Sequence, residues 1–258
     1  MNQIPGYIGR RAIDSVNHII NIFAFNYRLS ILFFNRPLEG RALVRRIILE
    51  QIYFTAFQAL ALIIPIALIM GSTLIIQFTR VSGQYDLGKV MIVLIVREFG
   101  PVITAILVIL RSATAVTTEI SYMNVLHEID AIEMAGIDPM RFICLPRLIG
   151  ITTAILCLFI VFDLVSIIGG YAIVWILTYV KMGNFLGQIG NAITATDIAV
   201  GIIKALCFGV TITVTCLTNG FSLKKQITDI PSGTSKAAVE CFFYCLVINV
   251  IISILFYL

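Results

Sequence analysis

Long stretches with few or no charged residues constrain this fold more than any other feature of the sequence. The stretch Gln51–Thr79 contains no Asp, Glu, Lys or Arg. A helix needs ~20 apolar residues to cross the ~30 Å hydrocarbon core of a bilayer, so this stretch can span with some tilt. Four later stretches of similar character carry between none and three charges: Val90–Thr118, Leu148–Val180, Ala199–Leu223 and Cys241–Leu258. The sequence therefore predicts five transmembrane helices.

The composition excludes a soluble globular protein. Hydrophobic residues make up 59% of the chain and charged residues 12%, against ~45–50% and ~25% in an average soluble domain. We predict an all-α integral membrane protein with one membrane unit over 49–258, preceded by a separate segment over 1–48. The six cysteines are expected to be small packing residues, because they form no Cys-x-x-Cys pattern.

The stretch Leu148–Val180 is long enough to raise the possibility of two crossings around Asp163. A re-entrant turn is expected to need Gly or Pro, and Phe162, Asp163 and Leu164 provide neither. We predict one long helix that outruns the bilayer and is loosened at Gly169 and Gly170.

The distribution of Lys and Arg predicts the orientation. With five spans, thirteen Lys and Arg residues fall on one side of the membrane and three on the other. The positive-inside rule therefore places the N-terminus in the cytoplasm. Six spans would put the last lysines on the wrong side. The net charge of +4 is explained by this topology, and we predict no nucleic-acid partner.

Two segments outside the spans have amphipathic patterns. Residues 12–28 carry Ile13, Val16, Ile20 and Phe23 on one face, opposite polar residues. This pattern favours a helix lying on the cytoplasmic membrane surface; a helix packed on the rest of the protein is the alternative.

Residues 119–138 combine a cluster of acids with helical spacing of apolar residues. The acids are Glu119, Glu128, Asp130, Glu133 and Asp138, and the apolar residues are Tyr122, Val125, Ile129 and Ile132. Gly136 and Pro139 mark the end of the predicted helix. A cytoplasmic helix with one acidic and one apolar face fits a groove on a protein partner, although packing on its own bundle is the alternative.

Motifs for catalysis and metal binding are incomplete. His127-Glu128 begins like a zinc-protease motif, but Ala131 occupies the position of the second histidine. Gly83–Lys89 resembles a phosphate-binding loop, but Val90 replaces the Ser or Thr that would hold magnesium. We predict a non-enzymatic chain with no metal site and no ATPase machinery of its own.

Besides Arg111, which we count with the Lys and Arg residues of the cytoplasmic side, four charges lie inside the predicted spans, where charges are costly unless they are paired or face water. They are Arg97, Glu98, Asp163 and Lys204. Arg97 and Glu98 point in different directions on a helix, so we expect them to line a cavity or meet a symmetry mate. A polar lining among apolar walls suits an amphiphile with a charged head group. We place Tyr85 with Arg97 and Glu98 as substrate-binding candidates; the alternative is a set of buried structural anchors.

Several short motifs, taken together in order, resemble the MlaE family of permease subunits. They are Arg97-Glu98-Phe99-Gly100-Pro101-Val102, then Glu119, Glu128-Ile129-Asp130-Ala131-Ile132-Glu133-Met134, Asp138-Pro139 and Pro146-Arg147. The resemblance covers roughly residues 40–258. It departs at His127-Glu128, at Ala113-Thr114 after Arg111, and at Ser235–Val239.

The resemblance implies a homodimeric permease of an ABC transporter in the inner membrane of a Gram-negative-type bacterium. It would move phospholipids between the inner and outer membranes. ATP and magnesium would bind a separate cytoplasmic ATPase subunit, which a coupling helix over about 124–136 would contact. An MCE-domain protein ring would lie on the periplasmic side, with a STAS-domain protein as a possible further partner. Candidate ATPase-contacting residues are Asn124, His127, Glu128, Asp130, Glu133, Asp138 and Arg141.

Three other function classes remain as alternatives. A secondary carrier or channel would use Asp163 and Lys204 as ion sites, but the sequence shows no inverted repeat of broken helices. A lipid-modifying membrane enzyme would need a nucleophile constellation, which we do not find. A passive membrane scaffold would function without ATP.

Overall fold

The computed structural model describes residues 3–35, 41–81, 93–178, 194–223 and 226–257, and these form seven helices. We number them α1 to α7 along the chain. Their ranges are Gln3–Asn35 for α1, 41–81 for α2, Ile95–Val125 for α3, Glu128–Met134 for α4, 140–178 for α5, Ala195–Ser222 for α6 and Ile230–Tyr257 for α7.

The prediction of five spans is confirmed, because five helices are long and apolar enough to cross a membrane. These spans are Val44–Gln77, Ile95–Val125, Met140–Ile173, Ala195–Ser222 and Ile227–Phe256. Most begin before the predicted stretches because charged residues near a helix end find partners within the chain. In α7, for example, Glu240 accepts a hydrogen bond from Asn219 of α6 at 2.7 Å. The chain is therefore a multi-pass membrane protein.

The prediction of a single helix through Asp163 is also confirmed. Residues 145–164 are α-helical, Val165–Gly169 form a π-helical turn, and Gly170–Thr178 continue the helix. A Cβ atom on Gly170 would lie 2.7 Å from the backbone carbon of Gly71, so only glycine allows α5 to approach α2 this closely. The predicted loosening falls at this crossing.

Five π-helical segments interrupt three of the spanning helices. They are Tyr53–Phe57 in α2, Ile95–Phe99 and Ile109–Ala113 in α3, and Met140–Cys144 and Val165–Gly169 in α5. Over their described lengths, α6 and α7 contain none. Widened turns of this kind are frequent at functional sites.

Helix α6 forms the centre of the bundle and packs against α3, α5 and α7. In its most apolar stretch, 56% of the residues are buried, whereas only 17% are buried in the corresponding stretch of the span that contains α7. Its buried side chains include Phe208, which lies in a common apolar core with Phe159 of α5. The sulfur atoms of Cys216 in α6 and Cys241 in α7 are 3.6 Å apart, and these thiols pack as small core residues.

Helix α1 is longer than the predicted 12–28 and has two kinds of contact. Ile13, Val16, Ile20 and Phe23 are all exposed in the isolated chain. On its other side, His18 pairs with Glu240 of α7 at 3.1 Å, and further along Leu29 is fully buried. The helix therefore touches the bundle while leaving an apolar stripe uncovered, as a surface-lying amphipathic helix would.

The segment between α3 and α5 differs from the predicted helix. Tyr122 and Val125 belong to the last turns of α3, and α4 begins only at Glu128. Between them His127 adopts a left-handed backbone conformation with φ of 59°. This residue interrupts the helix, so the helical spacing across residues 122–132 belongs to two helices.

Candidate functional site

The charged residues of α3 and α6 form two ion pairs inside the spanning region. Arg97 Nη1 lies 3.4 Å from Asp197 Oδ1, and Glu98 Oε1 lies 2.8 Å from Lys204 Nζ. Asp197 and Lys204 are seven residues apart, which places them on one face of α6 about two turns apart. Arg97 and Glu98 lie in the π-helical turn Ile95–Phe99 of α3. Two consecutive residues of α3 thus pair with residues of α6 that lie about two turns apart.

Lys204 is fully buried, and its ammonium group has a complete set of acceptors. The three are Glu98 Oε1 at 2.8 Å, the Arg97 backbone carbonyl at 3.1 Å and Ser253 Oγ at 2.8 Å. An ammonium carries three N–H donors. A buried charge of this kind is tolerated only when its hydrogen bonds are satisfied, and here all three are.

Helix α7 completes the group, which we call the ion network: Arg97, Glu98, Asp197, Lys204, Asn249 and Ser253. Ser253 and Asn249 donate to the Glu98 carboxylate at 3.0 and 3.3 Å. Arg97 also donates to the Phe256 backbone carbonyl at 3.3 Å. The network therefore fastens α3, α6 and α7 together at the end of the bundle opposite α4.

The three predicted substrate-binding residues differ in their contacts and exposure. Arg97 is 8% exposed and pairs within the chain, as expected for a buried anchor. The Glu98 side chain keeps 23% exposure and is the more accessible member of its pair. Tyr85 lies outside the described residues.

Sequence reasoning missed Asp197, Asn249 and Ser253. Asp197 had a signal, since it lies two turns before Lys204 and follows Thr194 in a helix-capping pattern that the structure contains. Asn249 and Ser253 are polar residues one turn apart in an otherwise apolar span.

Asp163 is not part of the network. Its residue is 9% exposed, and its Oδ1 atom is buried without a hydrogen-bond partner among the described residues. This oxygen packs against Gly100 of α3, where a Cβ atom would overlap it. Within the described residues, no ion pair or hydrogen bond joins Asp163 to Lys204, with which the carrier alternative had grouped it.

At the opposite end, most of the predicted ATPase-contacting residues lie on the surface. His127 and Asp130 form an exposed pair at 2.7 Å, and Glu128 and Glu133 of α4 are also exposed. Ile129 is buried and anchors α4 to the bundle. The other side of the segment exposes apolar residues next to the acids, including Met134 at 83%. This combination of acidic and apolar surface is suited to docking a protein.

Asn124, Asp138 and Arg141 make contacts within the chain. The Asn124 amide donates to the backbone carbonyls of Phe221 and Leu223 at 2.9 and 2.7 Å, which caps the end of α6. Asp138 accepts from the Met140 N–H at 3.0 Å and pairs with Arg141 at 3.4 Å. These three residues therefore position the segment.

A further ion pair braces the two ends of this segment. Arg147 of α5, 8% exposed, lies 2.7 Å from Glu119 of α3. The chain between Glu119 and Arg147 contains the last turns of α3, all of α4 and the first turns of α5. The pair therefore fixes the distance between the two helices that carry α4.

Comparison with known proteins identifies a family and several relatives. The family model described as "Permease MlaE" matches residues 48–255. A "Probable ABC transporter permease protein" of Rickettsia felis is 26% identical, over 99% of this chain and 98% of that protein. The "Intermembrane phospholipid transport system permease protein MlaE" of Haemophilus influenzae is 28% identical, over 91% of this chain and 93% of that protein. A probable ABC transporter permease of Synechocystis is 28% identical, over 84% and 83%.

Proposed function

Because the chain belongs to the MlaE permease family, we propose that it is the membrane-spanning subunit of an ABC transporter that moves phospholipid between two membranes. The observation that carries the proposal is the family match over residues 48–255, which contains α4 and the three middle spans and all but the ends of the first and last spans. The similarity to the Haemophilus phospholipid permease, over 91% of this chain and 93% of that protein, supports the substrate class.

In this proposal the chain performs no covalent chemistry, and a separate cytoplasmic subunit binds and hydrolyses ATP. The expected partners are a second copy of the chain, the ATPase, an MCE-domain ring on the far side and a STAS-domain protein. The N-terminus and α4 face the cytoplasm of a bacterium with an inner and an outer membrane. The excess of Lys and Arg on the α4 side supports this orientation.

The geometry suggests how force would travel through the subunit. The ATPase would push on the exposed acidic and apolar surface of α4. The Glu119–Arg147 pair would pass the displacement to α3 and α5, and Asn124 would pass it to the end of α6. Because α3 and α6 are joined again by the ion network, their motion would reach α7 at the opposite end. Rigid helices with polar contacts at both ends are suited to such coupling.

A mild-detergent purification tests the central claim. We expect a nucleotide-hydrolysing subunit and phospholipid to co-purify with the wild-type chain, and lipid transfer in reconstituted vesicles to require ATP. Glu133→Arg should reduce the retained ATPase, because it reverses a charge on the docking surface. Asp229→Arg is the matched control, since Asp229 is an exposed acid near the same end but outside α4. Retention of the ATPase by Glu133→Arg and its loss with Asp229→Arg would contradict this docking surface.

A second variant tests the role of the ion network. Glu98→Gln keeps the shape of the side chain while removing its charge, so we expect ATPase assembly to persist and ATP-driven lipid transfer to fall. Unchanged transfer would remove Glu98 from the pathway. ATP-independent transfer by the purified chain alone would instead support a secondary carrier, an alternative that the three contacts of Lys204 already disfavour.

A further inference from the structure

Arg111 of α3 lies at a contact with α2 that is far from the ion network and from α4. Its guanidinium donates to the Phe54 backbone carbonyl at 3.3 Å and to Oε1 of Gln58, and it stacks 5.5 Å above the Phe54 ring. Both sides of this contact are π-helical turns, Tyr53–Phe57 in α2 and Ile109–Ala113 in α3. The two widened turns thus hold an arginine against an aromatic surface.

The residues around Arg111 indicate how deep its side chain lies in the membrane. Phe54 lies about one turn after Glu50, which pairs with Arg46 at 3.0 Å and is the last charge before the uncharged part of α2. Arg111 ends the apolar run that follows Glu98 in α3. Both helices therefore place the guanidinium where the hydrocarbon core meets the head-group layer.

The surface around Arg111 is aromatic and exposed. Tyr53, Phe54 and Phe57 are 57%, 44% and 59% exposed, and the Tyr53 and Phe57 rings stack at 5.0 Å. Leu110, next to Arg111, is 67% exposed. On a membrane-spanning helix such residues meet lipid, and aromatic side chains are enriched at head-group depth.

The chemistry of this surface matches a phosphate group attached to acyl chains. The two described bonds use two of the five N–H donors of the guanidinium, and the side chain is only half-buried. Glu50 is the one acid in the range 41–81, and it is already paired with Arg46. Arginine binds phosphate oxygens through paired N–H groups, while the adjacent rings can pack against the glycerol and upper acyl chains.

We propose that Arg111, Tyr53, Phe54 and Phe57 form a phospholipid site in the leaflet nearest α4, with Arg111 binding the lipid phosphate. The site depends only on the membrane embedding of the chain. A negative result for the proposed transport function would therefore not contradict this site, and a negative result for the site would not contradict the transport function.

Photo-crosslinking in nanodiscs tests this site. A benzophenone side chain at position 110 reports on lipid beside Arg111, and one at position 69 is the matched control, since Ile69 of α2 is 63% exposed and remote from the site. The probes are labelled phosphatidylglycerol and labelled diacylglycerol with the same acyl chains, each at the same mole fraction. We expect position 110 to capture phosphatidylglycerol about fivefold more than diacylglycerol, as about 1 kcal/mol per interfacial arginine implies. Position 69 should show no preference.

Two variants assign the preference to Arg111. Arg111→Gln should abolish it, whereas Arg46→Gln should keep it, because the Arg46 side chain is 77% exposed and pairs with Glu50. Equal capture of the two lipids at position 110 in the wild-type chain would overturn the proposal even if Arg111→Gln fails to fold. A preference that survives in folded Arg111→Gln would also overturn it. Competition by inorganic phosphate, against chloride at equal ionic strength, would indicate a site for free anions and likewise reject the lipid assignment.

Discussion

The charged residues at the two ends of the bundle differ in burial. At the ion-network end, two acids and two bases are largely buried and paired with one another across helices. At the α4 end, most acids are exposed, and pairs such as His127–Asp130 remain in contact with solvent. Burial thus distinguishes the two groups of charges: the buried charges join helices of one chain, and the exposed charges are those to which we assign the docking of the ATPase in the proposal above. The following variants test this contrast, in order of decreasing effect.

The largest effect is expected from Lys204→Met. The substitution leaves the Glu98 carboxylate partly buried without its cation, and breaking a buried pair costs about 3–5 kcal/mol. Thermal unfolding in detergent should show a strong loss of stability. Lys236→Met is the control, because Lys236 is 65% exposed and lies 3.6 Å from Glu240; its effect should stay below about 1 kcal/mol. Equal effects of both variants would contradict the contrast between the two ends.

Gly100→Ala should have the next largest effect. The added Cβ would overlap Asp163 and approach Phe159 at 3.1 Å, and overpacking of this kind costs about 1–3 kcal/mol. Thermal unfolding again gives the measurement. Adding Asp163→Ala should recover part of the loss, since it removes the overlapping carboxylate. A double variant no more stable than Gly100→Ala would show that Asp163 is not the obstacle.

Asn124→Ala tests the connection between the α4 segment and α6. It removes two hydrogen bonds to the carbonyls at the end of α6, so we expect a loss of about 1–2 kcal/mol. If the force path is correct, ATP hydrolysis in the assembled transporter should continue while lipid transfer per ATP falls. Asn26→Ala in α1 is the control amide, as its side chain contacts only Ser30 in the described bonds. Full coupling in Asn124→Ala would exclude the α6 branch of the path.

His127→Gly should have the smallest effect on stability, and it should be stabilising. His127 has φ of 59°, a conformation that glycine adopts readily, so relief of backbone strain should contribute about 0.5–1 kcal/mol. The lost pair with Asp130 is exposed and offsets little of this gain. Unfolding temperature measures the gain. A marked destabilisation would mean that the imidazole makes a necessary contact.

The sequence predicted those parts of the fold that depend on local composition. The five spans follow from uncharged stretches, and the continuity of α5 through Asp163 follows from the lack of Gly or Pro at that point. The extent of α4 did not follow, because one left-handed residue at His127 separates two helices whose apolar spacing happens to be in phase. The periodicity of apolar residues does not indicate the backbone dihedral angles of a single residue.

Of the site, the sequence predicted the charges but not their partners. Arg97, Glu98 and Lys204 stand out because charge is rare in apolar spans. Which carboxylate meets which cation depends on the register of α3 against α6, and a π-helical turn, as found at Ile95–Phe99, cannot be read from the apolar pattern. Asn124 looks like a surface residue in the sequence, and only the packing of α3 against α6 brings its amide to the carbonyls of Phe221 and Leu223.

The balance of the ion network has a consequence for bioenergetics. Moving one elementary charge through the full transmembrane potential is worth about 2.3 kcal/mol per 100 mV. Arg97 and Lys204 together cancel Asp197 and Glu98 in formal charge, so a displacement of the four residues as a unit carries no net charge through the electric field. We expect a helix rearrangement around this neutral group to proceed equally well in energised and depolarised membranes, with nucleotide hydrolysis as its source of energy.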